Sequence, residues 1–365
     1  MQIQAAVCRD KGSFTLEDVD LSEPQLDEVL VKIVACGVCH TDLAVRDQHL
    51  PLPLPAVLGH EGAGIVVKTG AGVSKVKAGD HVVLSFGSCG KCANCLSGRP
   101  AYCAEFLAYN VGTRRPDGSC THQQHGKSIT GAFFYQSAFA THALTHVRNV
   151  VKVSQDLPLE VLAPLGCGIQ TGAGAVFNCL RPQAGSSIAI FGAGAVGLSA
   201  IMAAKVAGCA VIVAVDVQPG RLELARELGA TQVVNARTGD AVAAVREISA
   251  GGVDSAVEAT GIPAVMTQAF DSLNGTGTVI VLGVAPGGAT VSVDAGSLLG
   301  GKKLRGAIEG ESVPEVFIPQ LIALWKAGKF PFDRLAKFYA FEEINQAAQD
   351  SERGLTIKPI IRMPV

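Results

Sequence analysis

Four cysteines lie within fifteen residues in the stretch CGKCANCLSGRPAYC, residues 89–103. Cys89, Cys92, Cys95 and Cys103 follow the spacing C-x2-C-x2-C-x7-C, and four thiolates in one loop are typical of a closed tetrahedral zinc site. An iron–sulfur cluster is the alternative, because closely spaced cysteines also hold such clusters. Four thiolates around Zn²⁺ give a doubly negative centre with no position left for a substrate. We therefore predict that this cluster stabilises a loop and that the chemistry takes place elsewhere.

A second set of candidate metal ligands is dispersed along the chain, in ACGVCHTD (35–42), GHEGAG (59–64) and LGCGIQTGAG (165–174). These stretches contain Cys39, His60, Glu61 and Cys167 beside glycine-rich turns. Taken singly, a buried cysteine is usually a small apolar residue. Together, two thiolates and one neutral imidazole would leave zinc with a free fourth position, as in catalytic sites. Zinc lowers the pKa of bound water from ~15.7 to about 7, and an alcohol acidified in the same way would release hydride more readily.

A glycine motif of the form G-x-G-x-x-G occurs in GAGAVG, at Gly192, Gly194 and Gly197. It follows the apolar stretch SIAIF and opens a helical pattern, which is the context that dinucleotide binding requires. Backbone amides at the start of that helix can face a pyrophosphate. Asp216 follows Gly197 by 19 residues, at the end of the next predicted strand. A carboxylate there would accept hydrogen bonds from ribose hydroxyls and repel a 2′-phosphate, so we predict NAD rather than NADP.

The composition narrows the class of protein. The 365 residues carry a net charge of −2 without a basic run, which argues against a nucleic-acid partner. MQIQAAVCRD has no features of a signal peptide, so we expect a cytoplasmic protein whose eleven cysteines are thiols or metal ligands. Residues 185–204 are uncharged, but their glycines predict a buried strand followed by a buried helix rather than a membrane span.

The predicted secondary structure changes along the chain. The first 150 residues are rich in short β-type runs such as EVLVKIVAC and GAGIVVKTG. From about 186, strands alternate with helices, which indicates βαβ units and a parallel sheet. After about 308, SVPEVFIPQLIALWKAGKF predicts a helix and LTIKPIIRM a closing strand.

On these motifs the chain resembles the zinc-containing medium-chain alcohol dehydrogenases over essentially its whole length. GHEGAGIVVKTGAGVSKVKAGDHV resembles the family's zinc signature, and the cysteine cluster resembles its structural zinc lobe, here about 88–104. The resemblance implies an α/β fold in which a co-chaperonin-like (GroES-like) β-barrel catalytic domain accompanies a Rossmann doubly wound parallel sheet, with the active site in the cleft. The implied domains are a catalytic domain (1–168), an NAD-binding domain (169–307) and a return to the catalytic domain (308–365).

The resemblance also implies roles for individual residues. Cys39, His60 and Cys167 would bind the catalytic zinc, one of two zinc ions per subunit. Glu61 would lie behind that zinc, Asp42 would hydrogen-bond His60, and Thr41 would take the alcohol proton. The positions that match the family's NAD contacts are His40, Thr171, Gly192, Gly194, Val196, Gly197, Asp216, Arg221, Leu282, Val284 and Lys358.

Further matches concern the pyrophosphate, the substrate and the proton path. His40 and Lys358 match positions that reach the pyrophosphate, and Phe86 matches a position against the substrate. The family's relay ends in a histidine where this chain has Ala44, so the proton must leave through His40, water or His49.

The substrate class is inferred from apolar residues and from the same resemblance. LPLPLPAVLGH and GAFFYQSAFATHAL are apolar or aromatic, and aromatic crowding fits packing as well as a substrate wall. The overall pattern resembles the aryl-alcohol (benzyl alcohol) and allylic terpene-alcohol branch, so we expect a small apolar alcohol or aldehyde as the partner. The alternatives are glutathione-dependent formaldehyde oxidation, for which Arg114 or Arg115 would have to serve as the basic residue, general aliphatic alcohol oxidation, and a crystallin-like structural protein. The family's members are dimers or tetramers, and apolar strands such as TVIVLG would suit edge pairing in a homo-oligomer.

Overall fold

The computed structural model describes residues 1–364, and by its contacts the chain divides into two compact units. Unit 1 comprises Met1–Cys167, Val313–Gln320 and the chain from Asp333 onwards; unit 2 comprises Gly168–Ser312 and Leu321–Phe332. Residues 308–312 and 321–332 therefore group with unit 2, whereas the sequence-level division placed them in the catalytic domain.

The elements are numbered in chain order. The strands are β1 (Gln2–Cys8), β2 (Thr15–Leu21), β3 (Glu28–Gly37), β4 (Ala56–Val57), β5 (Gly62–Thr69), β6 (His81–Leu84), β7 (His122–Gln124), β8 (Lys127–Ile129), β9 (His142–His146), β10 (Val150–Val153), β11 (Ser187–Phe191), β12 (Val211–Asp216), β13 (Gln232–Asn235), β14 (Val253–Glu258), β15 (Leu273–Val281), β16 (Lys303–Gly306), β17 (Ala336–Ala340) and β18 (Lys358–Arg362). The α-helices are α1 (His40–Arg46), α2 (Ala93–Leu96), α3 (Phe106–Asn110), α4 (Leu159–Leu162), α5 (Gly168–Gly174), α6 (Ala195–Ala207), α7 (Pro219–Leu228), α8 (Ala241–Ile248), α9 (Pro263–Asp271), α10 (Ala295–Leu299), α11 (Pro314–Lys326) and α12 (Ile344–Glu352).

Unit 1 is built from two mainly antiparallel sheets. One has the order β4-β1-β2-β7-β8, and the other has the order β10-β6-β5-β3-β18-β17, with β9 also paired to β3. The closing strand β18 pairs antiparallel with β3, from Ile360 opposite Gly37 to Arg362 opposite Ala35. The carboxyl-terminal segment is thereby built into the same sheet as the strand that leads into Cys39.

The core of unit 1 is formed by every second side chain along these strands. Val29, Val31 and Ile33 of β3 are buried, as is Leu58. Because successive residues of a strand point to opposite faces, this spacing places one face of β3 against the core. The loops that carry the candidate ligands start directly from strands that this core holds in place.

Unit 2 contains an open parallel sheet with the order β13-β12-β11-β14-β15-β16. This strand order is that of a dinucleotide-binding sheet. The chain adds β12 and β13 on one side of β11 and then crosses over to add β14, β15 and β16 on the other side. β11 and β12 are apolar and almost wholly buried, as expected for parallel strands covered on both faces. Helix α6 begins after Gly194 and ends before Gly208, whose φ of 83° is the left-handed conformation that glycine supplies at helix ends.

Two expectations about this region have clear outcomes. The uncharged stretch 185–204 forms β11 and the first part of α6, as predicted. Within residues 1–364, no helix combines the length and apolar character needed to cross a membrane. The edge-pairing expectation for TVIVLG is wrong, because β15 lies between β14 and β16 and uses both of its sides within the sheet.

Candidate functional site

The structure brings the three dispersed ligand candidates together in unit 1. Cys39 immediately precedes α1, His60 lies just before β5, and Cys167 ends a turn that leads into α5. One ligand atom from each, two sulfurs and an imidazole nitrogen, lie within 4.8 Å of one another. This donor set fits a zinc ion with three protein ligands.

Asp42 fixes the orientation of His60. The Nδ1 of His60 donates to Asp42 Oδ1 at 2.8 Å, and both side chains are fully buried. Asp42 is itself held by the backbone N–H groups of Gly59, at 3.1 Å, and of Cys39, at 3.0 Å. Because Nδ1 carries the proton, Nε2 presents a lone pair, and this nitrogen is buried without a hydrogen-bond partner. A buried acceptor left unpaired is costly unless a ligand uses it, so the site fits a metal at Nε2.

The charges of the site favour the thiolate form of Cys39. A hydrogen bond from Cys167 lowers the pKa of the Cys39 thiol well below its ordinary value, against the effect of burial and with help from neighbouring His60. Burial would lower the pKa of His60, but the Asp42 carboxylate and the Cys39 thiolate raise it well above its ordinary value. The negative charges of Asp42 and Cys39 thus favour a cation at Nε2, where a bound metal ion would take the place of a second ring proton.

Glu61 and Lys358 form a buried ion pair beside these ligands. Lys358 Nζ donates to Glu61 Oε1 and Oε2, each at 2.9 Å, and to the carbonyl oxygen of Val38 at 3.2 Å. Burial raises the pKa of Glu61, and Lys358 opposes that rise. Lys358 is 4% exposed and its three donors are used inside unit 1. Lys358 thus supports Glu61 in this structure, and its expected contact with a pyrophosphate stays a prediction.

Aromatic residues enclose His60 in a way that the sequence did not reveal. The ring of Phe134 stacks on the imidazole, with centroids 4.4 Å apart, and Phe133 meets it edge-on at 5.5 Å. Gln136 donates to the carbonyl oxygen of His60 at 2.9 Å and accepts from the N–H of Gly62 at 3.1 Å. The one indication in the sequence was the single glutamine in the apolar stretch GAFFYQSAF. A buried amide needs hydrogen-bond partners, so this glutamine could have indicated a contact with another segment.

The four clustered cysteines form a second group that could hold a metal. Their sulfurs lie within 4.8 Å of one another. Backbone N–H groups point to these sulfurs, from Cys89 to Cys103 Sγ at 3.2 Å, from Cys92 to Cys89 Sγ at 3.3 Å and from Ala104 to Cys92 Sγ at 3.4 Å. The hydrogen bond from Ala104 contributes most to lowering the pKa of Cys92 to about 6. All four sulfurs belong to one short loop, as a closed structural site requires.

Two glycines of GAGAVG in unit 2, Gly192 and Gly197, occupy positions that only glycine can fill. Gly192 has a φ of 94°, and a Cβ at Gly197 would lie 1.7 Å from the carbonyl oxygen of Gly192. A Cβ at Gly194 would meet nothing within 4 Å, so the space before α6 is open. The turn and the helix start therefore form the cradle that a pyrophosphate fits.

Asp216 ends β12 beside this turn. Its Oδ2 accepts from the N–H of Ala193 at 2.6 Å, and its Oδ1 accepts from Val217 at 2.7 Å and Gln218 at 2.8 Å. The carboxylate is therefore fixed at the carboxyl end of the sheet. Arg221, in the first turn of α7, has a buried Nε without a hydrogen-bond partner. These features fit a nucleotide ribose.

The remaining sequence-predicted residues lie in varied environments. In unit 2, Thr171 donates to Glu309 Oε2 at 3.4 Å, Val196 and Leu282 are half-buried, and Val284 is exposed. In unit 1, His40 is exposed, Thr41 Oγ1 lies 3.8 Å from Cys39 Sγ, and Phe86 is buried and packs against the ring of Phe106. Among these residues, Thr41 contacts the candidate metal ligand Cys39 through its side chain.

Arg115 is not a free basic residue of the kind that the glutathione-dependent alternative would need. Its guanidinium binds Glu28 through Nε at 2.7 Å and Nη2 at 2.9 Å, and both side chains are almost fully buried. Tyr135 OH donates to the same carboxylate at 3.1 Å. Arg114 is exposed and contacts Cys120 Sγ at 2.8 Å. Arg115 therefore ties the segment after the cysteine cluster to the start of β3.

Comparison with known proteins shows which protein family shares this architecture. The model of the alcohol dehydrogenase GroES-like domain matches residues 25–155, and that of the zinc-binding dehydrogenase domain matches residues 195–326. Geraniol dehydrogenase of Castellaniella defragrans is 45% identical over 362 residues, covering 98% of this chain and 97% of that protein. The crystal structure of benzyl alcohol dehydrogenase from Acinetobacter calcoaceticus has 52% identity and a TM-score of 0.97, with 100% of both chains covered. An alcohol dehydrogenase zinc-binding domain protein from Burkholderia ambifaria has 54% identity and a TM-score of 0.98, also over 100% of both chains.

The chain belongs to the zinc-binding alcohol dehydrogenase family. The predicted family, the α/β fold with GroES-like and Rossmann-type parts, and the oxidoreductase class are thereby confirmed. Family membership also supports zinc and a nicotinamide dinucleotide in general as cofactors, and a small alcohol as substrate.

The Arg115–Glu28 pair generates a stability prediction. Replacing Arg115 with Ala would leave the Glu28 carboxylate buried without its counter-ion, so we expect a loss of about 3–5 kcal/mol in the free energy of unfolding, measured by denaturant titration. Arg114→Ala is the matched control, because Arg114 is exposed and its loss should change stability by less than about 0.5 kcal/mol. Equal stability of the two variants would contradict the structural role of Arg115.

Proposed function

We propose that this chain oxidises primary aromatic or allylic alcohols to aldehydes, with NAD as the hydride acceptor. In the overall reaction, R-CH₂OH and NAD⁺ give R-CHO, NADH and one proton, and the reverse direction uses the same groups. The observation that carries the proposal is the convergence of Cys39, His60 and Cys167 around a buried, unpaired imidazole nitrogen. A site of two thiolates and one imidazole provides three ligands and leaves one position for a substrate oxygen.

Two zinc ions per subunit are the metal content that we propose. The Cys89 cluster would hold a structural ion, and Cys39, His60 and Cys167 would hold a catalytic one. When bound at the catalytic site, zinc acts as a Lewis acid that makes an alcohol hydroxyl more acidic. Asp42 keeps the proton on Nδ1 of His60 and so keeps Nε2 available. The Glu61–Lys358 pair adds little net charge behind the ligands, since each member neutralises the other.

Thr41 is the side chain that we assign to the alcohol proton. Its hydroxyl lies 3.8 Å from Cys39 Sγ, next to the proposed metal site. A hydroxyl can accept one proton while it donates its own, so Thr41 can pass a proton without gaining a lasting charge. Ala44 cannot accept that proton, and exposed His40, one residue before Thr41, is the group through which we propose it reaches solvent.

NAD rather than NADP is the proposed cofactor. The Asp216 carboxylate stands at the end of β12 with both oxygens held by backbone amides. A fixed negative charge at this place attracts the ribose hydroxyls and repels a 2′-phosphate. Arg221 offers Nε toward the same ribose, while Thr171, Val196, Leu282 and Val284 are the proposed nicotinamide neighbours.

Aromatic and allylic alcohols are the proposed substrate class because two of the three relatives, at 45% and 52% identity over nearly the whole chain, bear the names of such substrates. The aldehydes formed from these alcohols are conjugated, which makes the oxidation less unfavourable. Phe86 is the substrate-facing residue that we propose. The pairing of Arg115 with Glu28 counts against a free basic residue for glutathione at that position. A homodimer or homotetramer and a cytoplasmic location stay predictions.

A substrate panel tests this proposal. We expect rapid NADH formation from benzyl alcohol and geraniol, slow formation from ethanol, and none from sorbitol or hydroxymethylglutathione. The same panel with NADP should give at most about one hundredth of the kcat/KM, which is a difference of about 2.7 kcal/mol. Activity confined to hydroxymethylglutathione would contradict the substrate class, and equal use of NADP would contradict the role of Asp216.

Thr41 generates a second kinetic prediction. Thr41→Ala should lower kcat by about 100-fold or more, because a positioned proton-transfer group contributes that much. Thr41→Ser keeps the hydroxyl and is the matched control, which should stay within about tenfold of the wild type. Zinc content measured by elemental analysis should be unchanged in both variants. Normal turnover of the alanine variant would remove Thr41 from the proton path.

A further inference from the structure

A short buried segment beside His60 has a strained backbone. Ala132, Phe134, Tyr135 and Ser137 have φ values of 58°, 49°, 52° and 47°, in the left-handed region that side chains other than glycine rarely adopt. All four residues are buried, so the strain is not a property of a free surface turn. Strain of this kind persists only where the surroundings impose it, and it concentrates at functional sites.

Hydrogen bonds tie this strained segment to the chain on either side of His60. Ser137 Oγ donates to the carbonyl oxygen of Val57 at 2.7 Å, and Ala138 N–H donates to the carbonyl oxygen of Gly59 at 2.8 Å. Gln136 bonds to the backbone of His60 and of Gly62. The segment therefore runs alongside residues 57–62, and these hydrogen bonds fix its position relative to His60.

Tyr135 anchors the segment on its other side. Its hydroxyl donates to Glu28 Oε1 at 3.1 Å, and Glu28 is held by the bidentate contact with Arg115. The buried ion pair and the backbone hydrogen bonds thus offset the strain at Phe134 and Tyr135. This arrangement places the ring of Phe134 face to face with the imidazole of His60.

We propose that Phe134 is a positioning residue that fixes the plane of the His60 imidazole and so aims Nε2 at the catalytic metal. The hydrogen bond from Nδ1 to Asp42 holds one edge of the ring but does not by itself stop the opposite edge, which carries Nε2, from tilting. Phe134, with an interplanar angle of 25° and a centroid separation of 4.4 Å, closes one face, and Phe133 at 89° meets the ring from its edge. Three contacts in different directions leave the imidazole one orientation.

This inference rests on the proposed metal site at Cys39, His60 and Cys167, and it adds a residue that acts on the metal through the ring of His60. Groups that orient a metal-binding histidine commonly change metal affinity by 10- to 100-fold when removed. Loss of the Phe134 ring should therefore loosen the catalytic zinc while leaving the cysteine cluster unaffected.

The test measures zinc release from the purified holoenzyme to a chromogenic chelator. In Phe134→Leu, one zinc per chain should leave about tenfold faster than in the wild type, and the other should leave at the wild-type rate. Phe134→Tyr keeps the aromatic face and should release zinc within about threefold of the wild-type rate. In the cobalt-substituted protein, the visible absorption of the catalytic site should shift in Phe134→Leu and not in Phe134→Tyr.

A matched control separates positioning from general destabilisation. Phe14 lies in the same hydrophobic core, and its ring contacts Phe139 rather than His60. Phe14→Leu should lower the melting temperature in the same way as Phe134→Leu but leave zinc release and the cobalt spectrum unchanged. Phe134→Met, whose flexible side chain can adapt to the space that the ring leaves, replaces Phe134→Leu if that variant does not fold.

Wild-type zinc release and an unchanged cobalt spectrum in folded Phe134→Leu or Phe134→Met would overturn the inference. Equal acceleration in Phe14→Leu would also overturn it, because the effect would then be one of stability. A wild-type protein that holds no zinc outside the cysteine cluster would instead contradict the proposed function itself.

Discussion

The hydrogen bond between His60 and Asp42 is the interaction on which the rest of the site depends. Both side chains are fully buried, and the two Asp42 oxygens also accept backbone N–H groups from Gly59 and Cys39. One carboxylate thereby connects two of the three candidate ligands, Cys39 through its backbone N–H and His60 through the Nδ1 proton, and it also holds the backbone of Gly59 beside His60. Because the proton is held on Nδ1, Nε2 is left as a buried lone pair that needs a cation.

The two units offer different kinds of binding group, side chains in unit 1 and backbone amides in unit 2. Unit 1 uses sheets to hold loops whose side chains need exact relative positions, and its strain is concentrated in residues 132–137 beside His60. Unit 2 presents mostly backbone, since its glycine turn and helix start offer amides rather than side chains. This division matches the ligands: a metal needs three specific donor atoms, whereas a dinucleotide needs an extended surface that backbone groups supply.

Local patterns predicted much of this from the sequence, and contacts between distant segments account for the rest. The alternation of strands and helices after residue 186, the glycine motif with Asp216, and the cysteine spacing all depend on residues close together in the chain. The Arg115–Glu28 pair joins residues 87 positions apart, and neither periodicity nor a motif indicates it. Likewise, the burial of Lys358 against Glu61 follows from the pairing of β18 with β3, and the inner place of β15 follows from β16. Phe134 was visible only as one of several aromatic residues, because its stacking depends on a left-handed backbone that sequence patterns do not encode.

The most direct test of the account is zinc-edge anomalous diffraction from crystals of purified, active protein. We predict two anomalous peaks per chain, one among Cys89, Cys92, Cys95 and Cys103, and one within bonding distance of Cys39 Sγ, His60 Nε2 and Cys167 Sγ. A fully active preparation with a single peak, confined to the cysteine cluster, would contradict the central claim.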